Sequence, residues 1–356
     1  MIQKTRDIFG FRDDEISSAQ KNNQLLSLEI EFNSRCNLRC VYCYAAGNLF
    51  RDNELELEEM FDVISQAKAL GARKIIYIGA GEPLLDNKLN RVISYVHKIG
   101  LEHVLFTNAT LINSEQANFF YKHNLIVVVK YSSLKQETFD LLSASPGSYE
   151  AMQRGLNYLF KAGYPDKEHY LGIESIISNQ NMQDIPSLWR WARKNNILPY
   201  MECMTYKGAV VARHDLYPDK KTIQSLFEKL SQIDLEEFGL YWNPYPPIAG
   251  FACRRHLYSC LVNSQGFVQP CVGIDIKVGN IRKQKLSEIL KNSVVLNELS
   301  RIRDNIKGKC KECKYNSECY GCRGTAYSLT GDYLASDPTC WRIKNEASID
   351  ISSRKK

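Results

Sequence analysis

The sequence contains no stretch approaching the ~18 consecutive apolar residues that a membrane-spanning helix needs. Its first twenty residues, MIQKTRDIFGFRDDEISSAQ, lack the apolar core behind a basic start that marks a secretory signal. No basic stripe interleaved with aromatics runs along the chain, which argues against a nucleic-acid partner. The net charge is only +6, a value that fits a solvated surface and is compatible with an anionic cofactor or an acidic substrate. These absences place the chain in the cytoplasm, with neither membrane nor nucleic acid as partner. At 44% hydrophobic and 24% charged, 356 residues read as a folded chain with one large domain and a small one.

Cysteine is what the chain has in excess. Twelve are present, and in a reducing compartment they are not expected to form disulfides. Three lie between positions 36 and 43 and eight between 253 and 340. Soft thiolates clustered at short spacings point to metal.

From about residue 25 to 205, short apolar strands alternate with helical stretches. Strands are expected over 25–32 (LLSLEIEF), 74–79, 103–108, 126–131, 170–177 and 200–205. Helices are expected over 54–70, 87–99, 149–162 and 188–194, with a further one that Ser114 would cap. Strand–helix units of this length demand parallel strands and right-handed crossovers. Six of them predict an α/β fold, a partial (β/α)6 TIM-like barrel, with chemistry at the C-terminal ends of the strands. Residues 1–24 read as an extension, 25–219 as the barrel and 220–247 as a connector with a helix near 220–231 and the proline-rich 243–247. Residues 248–342 form a small cysteine-rich domain with a hairpin around Gly266. That last segment has too few strands for a core of its own, so metal is expected to organise it. The tail, 343–356, ends in Arg354-Lys355-Lys356 and reads as frayed.

Cys36-Asn-Leu-Arg-Cys40-Val-Tyr-Cys43 follows the first strand immediately. Three thiolates saturate neither a tetrahedral zinc nor all four irons of a [4Fe–4S] cube, and an open position suits a catalytic cluster. A structural zinc that borrows its fourth ligand from elsewhere is the alternative. Gly79-Ala-Gly81-Glu82-Pro83 follows the second strand and Thr107-Asn108-Ala109 the third. Alone, each is a turn. Cys310-x2-Cys313-x5-Cys319-x2-Cys322 alone would pass for a zinc knuckle.

Taken together, these segments resemble the radical S-adenosylmethionine superfamily. The C-terminal pattern (Cys253, Cys260, Gly266, Cys271, Cys310, Cys313, Cys319, Cys322 and Cys340) resembles its SPASM domain. The resemblance covers roughly residues 25–342. It implies an oxidoreductase in which Cys36, Cys40 and Cys43 hold a catalytic cluster whose free iron binds S-adenosylmethionine. Reductive cleavage would then yield a 5′-deoxyadenosyl radical that takes a hydrogen from the substrate. It also implies two auxiliary [4Fe–4S] clusters, one on Cys253, Cys260, Cys271 and Cys322, the other on Cys310, Cys313, Cys319 and Cys340. The close spacing of Cys260 to Gly266 leaves room for an open iron in the first of these. The pattern departs from many relatives in having two residues, not three, between Cys319 and Cys322.

The same resemblance assigns Gly81, Glu82, Pro83, Asn108, Lys130 and Ser132 to contacts with S-adenosylmethionine, with Ser133 in the same stretch. Lys130 replaces an expected serine, and a strand-end lysine in water is the simpler reading of it. Glu174 could face the barrel interior or sit at the rim. Cys203 reads as a small buried hydrophobe, with a reactive thiol facing the barrel as the alternative. Asp275 reads as a solvated loop residue, although a proton acceptor is conceivable there. A flavodoxin or ferredoxin electron donor is implied. Peptide or protein side chains are the first expectation for the substrate, because most relatives modify them. The run from Cys319 to Cys340, CYGCRGTAYSLTGDYLASDPTC, is instead similar to enzymes altering tetrapyrrole side chains, which makes a haem precursor or other small molecule the alternative. A non-catalytic iron–sulfur carrier or zinc scaffold is the reading from another class.

Overall fold

In the computed structural model, residues 8–45 and 51–343 are described. The tail expected to fray lies outside the described residues, apart from Ile343. Six parallel strands form the centre: β1 (Ser27–Glu31), β2 (Lys74–Ile78), β3 (Glu102–Thr107), β4 (Ile126–Lys130), β5 (Leu171–Ile177) and β6 (Leu198–Cys203). Each pairs with the next in sequence. The helices are α1 (Asp13–Lys21), α2 (Leu57–Ala69), α3 (Leu89–Lys98), α4 (Ser114–Lys122), α5 (Gln136–Ser143), α6 (Ser148–Ala162), α7 (Ile185–Lys194) and α8 (Lys220–Phe238).

Strand alternation decides which side chains meet which environment. Leu28, Tyr77, Leu105, Val127, Ile173 and Met201, one from each strand, enter the core shared with the helices. Glu29, Ile76, Phe106, Lys130, Glu174 and Glu202, again one from each, line a single interior cavity. A flat sheet could not bring six strands to one cavity; a partial barrel does. The fold class expected from the alternating pattern is therefore what is observed.

Three local differences have physical causes. Helix α4 is capped by Asn113, whose side chain accepts from Gln116 N at 2.8 Å, while Ser114 is already helical. Both residue types cap well, and the structure takes the earlier. Helices α1 and α5 were not foreseen. Helix α1 lies in the N-terminal extension, where Ile16 and Ala19 pack with Leu257 and Leu299 from the C-terminal part. Just before it, Ile8 packs with Val104, Ile126, Val128 and Leu198 at the barrel floor. The ammonium of Lys74, 1% exposed, donates to the Ile8 carbonyl at 2.8 Å. Residues 8–21 thus pack against the barrel at Ile8 and against the C-terminal part at α1.

The cysteine-rich segment is less separate than expected. Strand β7 (Ser259–Val262) pairs in parallel with β1. Strands β8 (Phe267–Gln269) and β9 (Gly279–Asn280) continue antiparallel, giving one nine-stranded sheet in the order β6-β5-β4-β3-β2-β1-β7-β8-β9. The hairpin expected around Gly266 joins β7 to β8, with φ +81° at that glycine, a value that favours glycine. Short helices follow: α9 (Leu286–Asn292), α10 (Val294–Ser300), α11 (Ile302–Asn305) and α12 (Arg323–Thr330). Backbone pairing to the barrel therefore organises residues 259–280.

Candidate active site

The loop bearing Cys36, Cys40 and Cys43 leaves β1 at the C-terminal mouth of the barrel and is clamped on several sides. Arg39 N and Val41 N donate to the carbonyls of Ser143 and Leu142 at the end of α5, at 3.1 and 2.9 Å. Tyr44 Oη donates to the Gly79 carbonyl at 2.7 Å, and Tyr42 Oη lies 2.9 Å from Ser132 Oγ. Asn37, inside the loop, accepts from Asn108 Nδ2 at 2.9 Å and donates to Thr110 Oγ1 at 2.7 Å. These bonds fix the loop before any cofactor arrives.

The segment from Gly79 to Pro83 abuts the start of the same loop. Glu82 N donates to the Arg35 carbonyl at 2.7 Å. A Cβ on Gly81 would sit 1.9 Å from that carbonyl oxygen, so only glycine fits there. The Glu82 carboxylate, 2% exposed, accepts from Thr107 Oγ1, Asn108 N and Leu84 N at 2.7, 2.8 and 3.1 Å. Burial pushes its pKa up while these three donors pull it down. Glu82 and Asn108 thereby tie the loops after β1, β2 and β3 into one platform.

Several expected cofactor contacts are placed elsewhere. Ser132 is spent on Tyr42 and is not among the cavity-lining residues. Ser133 donates to Asp184 at 2.7 Å. Pro83 is buried at the head of a short 3-10 turn. Lys130, read as a strand-end lysine in water, instead lines the cavity and pairs with Glu174 at 2.6 Å across the β4–β5 register. Glu174 faces inward, 5% exposed. Asp275 is half exposed and pairs with Lys207 at 3.1 Å, so the solvated reading holds for it.

The cavity, of about 690 Å³, is bounded by two groups of cysteines. Cys36, Cys40 and Cys43 form one; Cys40 feels the charge of both partners and Cys36 that of Cys43. Cys253, Cys271 and Cys322 form the second, with Cys271 within electrostatic reach of both partners. A third group, Cys310, Cys319 and Cys340, lies beyond the cavity and is coupled in the same way. Cys313 sits in the turn after Cys310, where its carbonyl accepts from Asn316 N at 2.9 Å. Asp337, fully buried, links the second and third groups: its carboxylate accepts from Cys322 N at 2.7 Å, and its own N donates to Cys310 Sγ at 3.4 Å.

Cys260 does not join the second group. On β7 it stands beside Leu28 of β1, and neighbouring residues of parallel strands share a face, so it enters the helix-facing core with Leu28 and Val262. Cys203 lines the cavity near Cys322, and burial raises its pKa well above the usual thiol value. The sulfhydryl is therefore held protonated.

All twelve cysteines are free. Among the described residues no three or more Cys, His, Asp or Glu side chains converge on a point that could hold a single metal ion. Tetrahedral zinc draws four ligands around one centre with Zn–S near 2.3 Å, whereas an iron–sulfur cube takes one thiolate at each corner. Three groups of thiols, each with members within electrostatic reach of one another, are the donor set that iron–sulfur cubes take. Burial raises the metal-free thiols, Cys40, Cys271 and Cys319 each to about 12. Metal must therefore displace protons to bind, and loading weakens as pH falls.

The remaining cavity groups were not singled out from sequence. Glu29 and Glu202 line the cavity, and burial with Glu174 nearby pushes the carboxyl of Glu202 up. Glu31, on the same strand face as Glu29 but outside the cavity lining, is pushed up to about 7 by burial. Arg255 pairs with Glu29 at 3.1 Å. Burial, with Arg255 and Arg323 nearby, pushes His256 down to about 3, so the ring is neutral. The alternation in LEIEF was a usable signal, because it sets two carboxylates on a face that a barrel encloses. Phe9, Phe106, Tyr200 and Phe251 build an aromatic wall, with Phe9 and Phe251 stacked at 6.0 Å and Phe9 and Tyr200 edge-on at 4.9 Å.

A partial barrel with a three-cysteine loop at its mouth, set against a second group of thiols, defines a radical S-adenosylmethionine enzyme. The chain belongs to that superfamily and carries a SPASM domain. Residues 30–192 match the radical SAM superfamily, and residues 253–322 match SPASM, an iron-sulfur cluster-binding domain. Its cofactors are accordingly iron–sulfur clusters and S-adenosylmethionine. Among its relatives, an AdoMet-dependent heme synthase of Methanosarcina barkeri is 28% identical over 337 residues, covering 87% of this chain and 94% of the relative. An Fe-coproporphyrin III synthase of the same organism is 26% identical over 359 residues, covering 88% and 86%. SuiB of Streptococcus suis, solved with its precursor peptide SuiA, superposes with a TM-score of 0.70 at 16% identity, over 92% of this chain and 79% of SuiB. That last likeness is one of fold. Among the described residues no helix is long and apolar enough to cross a membrane.

Proposed function

We propose that this chain is a radical S-adenosylmethionine oxidoreductase that modifies a side chain of a tetrapyrrole. The first expectation from sequence, a peptide or protein substrate, gives way to its alternative. The relatives that span nearly the whole chain are named for haem and iron-coproporphyrin III. The peptide-bound neighbour shares only the fold.

One observation carries the reading: a single cavity is bounded by Cys36, Cys40 and Cys43, by Cys253, Cys271 and Cys322, and by an aromatic wall with cations at its edge. A tetrapyrrole is flat and apolar across its face and carboxylate-bearing at its rim. Phe9, Phe106, Tyr200 and Phe251 offer the face a stacking surface. Arg255 and Lys130 offer the rim charge, each already balanced by a carboxylate that a substrate propionate would replace.

In this reading Cys36, Cys40 and Cys43 hold the catalytic cluster, and Cys253, Cys271 and Cys322 contribute to the first auxiliary one. Cys310, Cys313, Cys319 and Cys340 hold the second. When bound, S-adenosylmethionine and the reduced cluster supply a radical able to take a hydrogen from an unactivated carbon. The chain's own contribution is positional. Glu82 and Asn108 keep the loops in place, and Gly81 lets the backbone approach. The cavity carboxylate Glu202, whose pKa burial and the neighbouring Glu174 push up, limits the negative charge facing an anionic substrate. An electron leaving the substrate radical would have an exit through the auxiliary groups, and a flavodoxin or ferredoxin would supply the first electron.

The test is anaerobic reconstitution with iron and sulfide, followed by dithionite, S-adenosylmethionine and iron-coproporphyrin III. Formation of 5′-deoxyadenosine with a mass change in the pigment is expected, and Cys40→Ala should abolish both. Deoxyadenosine without any change in iron tetrapyrroles, together with a mass change in a supplied peptide, would reverse the substrate assignment.

A further inference from the structure

The second cysteine group has three members at the cavity, because β7 turns Cys260 into the core. A cube has four corners. Two further ligand-type side chains line the same cavity: Cys203 at the end of β6, near Cys322, and His256, whose segment also carries Cys253. His256 follows Cys253 by three residues, on the 3-10 turn Arg255–Leu257 that leads into β7. It lines the same cavity and is 7% exposed. Its Nδ1 is fully buried and has no hydrogen-bond partner. A buried imidazole nitrogen ordinarily finds a partner, and this one has none in a cavity that three clustered thiols also line. The ring lies 6.1 Å from that of Tyr320, which precedes Cys322 by two residues, so it stands next to the C-terminal part of the group as well.

We propose that His256, through Nδ1, supplies the fourth ligand of the first auxiliary cluster in place of Cys260. The inference rests on the ligand groups of the function proposed above. Coordination uses the Nδ1 lone pair of a neutral ring and leaves its proton on Nε2, so no electron or group is transferred. Three thiolates and one imidazole give the cluster one negative charge fewer than four thiolates. That raises its reduction potential, as imidazole ligation does in Rieske centres. The first auxiliary cluster, facing the substrate cavity, then accepts an electron more readily than a four-thiolate cube in the same place.

The other five histidines (His97, His103, His123, His169 and His214) do not line the cavity, so histidine labelling reports on this site. The reduced, reconstituted full-length protein is examined by pulsed electron paramagnetic resonance without S-adenosylmethionine, with natural-abundance and with ¹⁵N-labelled histidine. A strong nitrogen coupling that changes from the ¹⁴N to the ¹⁵N pattern is expected. His256→Cys should abolish the coupling, keep about twelve irons per chain for three cubes, and shift one auxiliary potential to a more negative value. Cys260→Ala should leave coupling and iron content unchanged. About twelve irons with no histidine coupling, or loss of a cluster in Cys260→Ala, would overturn the role of His256 and leave the other ligands standing. About eight irons per chain in the unaltered protein would overturn the auxiliary ligand groups, and His256 with them.

Discussion

His103, on β3 at the edge of the main core, is 2% exposed and shows how burial fixes the state of single residues in this protein. Its Nε2 lies 2.7 Å from the His123 carbonyl and its Nδ1 3.3 Å from Tyr77 Oη. Desolvation, reinforced by the charges of His97 and His123, lowers its pKa from 6.5 to about 4. The unfolded chain therefore binds this proton at a higher pH than the folded one does. The resulting stability is complete above pH 6.5 and is lost as pH falls toward 4, by about 3 kcal/mol in all. Urea unfolding of anaerobic protein across this window should show that slope, and His103→Gln should flatten it. Glu31 has the opposite sign. Its folded pKa of about 7 exceeds the ordinary 4.5, so its contribution is present below 4.5 and disappears as pH rises through 7.

Helices α7 and α8 depend on one buried carboxylate. Asp234, fully buried on α8, accepts from Trp189 Nε1 at 2.7 Å and from Arg193 Nε and Nη2 at 2.9 and 2.7 Å, both residues on α7. It also accepts from Trp242 Nε1 at 2.9 Å, which draws in the proline-rich connector. Removing the carboxylate leaves a guanidinium and two indole donors buried without a partner. Asp234→Ala should lower unfolding stability by about 3–5 kcal/mol, read as a shifted urea midpoint with altered tryptophan emission. The three-cysteine loop should feel little of this, because its clamps come from α5 and the loops after β2, β3 and β4. The helical periodicity of 220–231 revealed the start of α8, but not that a carboxylate further along would join three elements.

Across the whole molecule, the C-terminal part is held in two ways. Residues 259–280 hydrogen-bond into the barrel sheet, whereas 308–343 consist of short turns, one eight-residue helix and four of the clustered cysteines at 310–322. Metal should therefore matter unequally along the chain. Stripping iron anaerobically with a chelator should expose 308–343 to limited proteolysis while a fragment containing 57–203 survives. Uniform loss of the entire chain would show that the barrel, too, depends on the clusters. The N-terminal residues bear on this coupling: Ile8 packs against strands of the barrel and Ile16 against the C-terminal core, so one short segment joins the two.

The strand–helix alternation, the three-cysteine loop and the spacing of the later cysteines were legible from residue order because each is a local pattern. Hydrophobic periodicity is set within a few residues, and the ligand spacing lies within single loops. Glu82 and Asn108 could be picked out for the same reason, although their observed bonds, to the loops around them, could not. Register and facing were decided only in three dimensions. Cys260 is a thiol like its neighbours until pairing with β1 turns it into the core. Lys130 is an unremarkable strand-end lysine until β5 sets Glu174 beside it. His256 carries no spacing signature and becomes conspicuous only because folding buries its nitrogen without a partner in the cavity that Cys253, Cys271 and Cys322 line. Sequence spacing specifies which ligand types are available, and the sheet's period of two, through contacts distant along the chain, decides which of them reach the cavity.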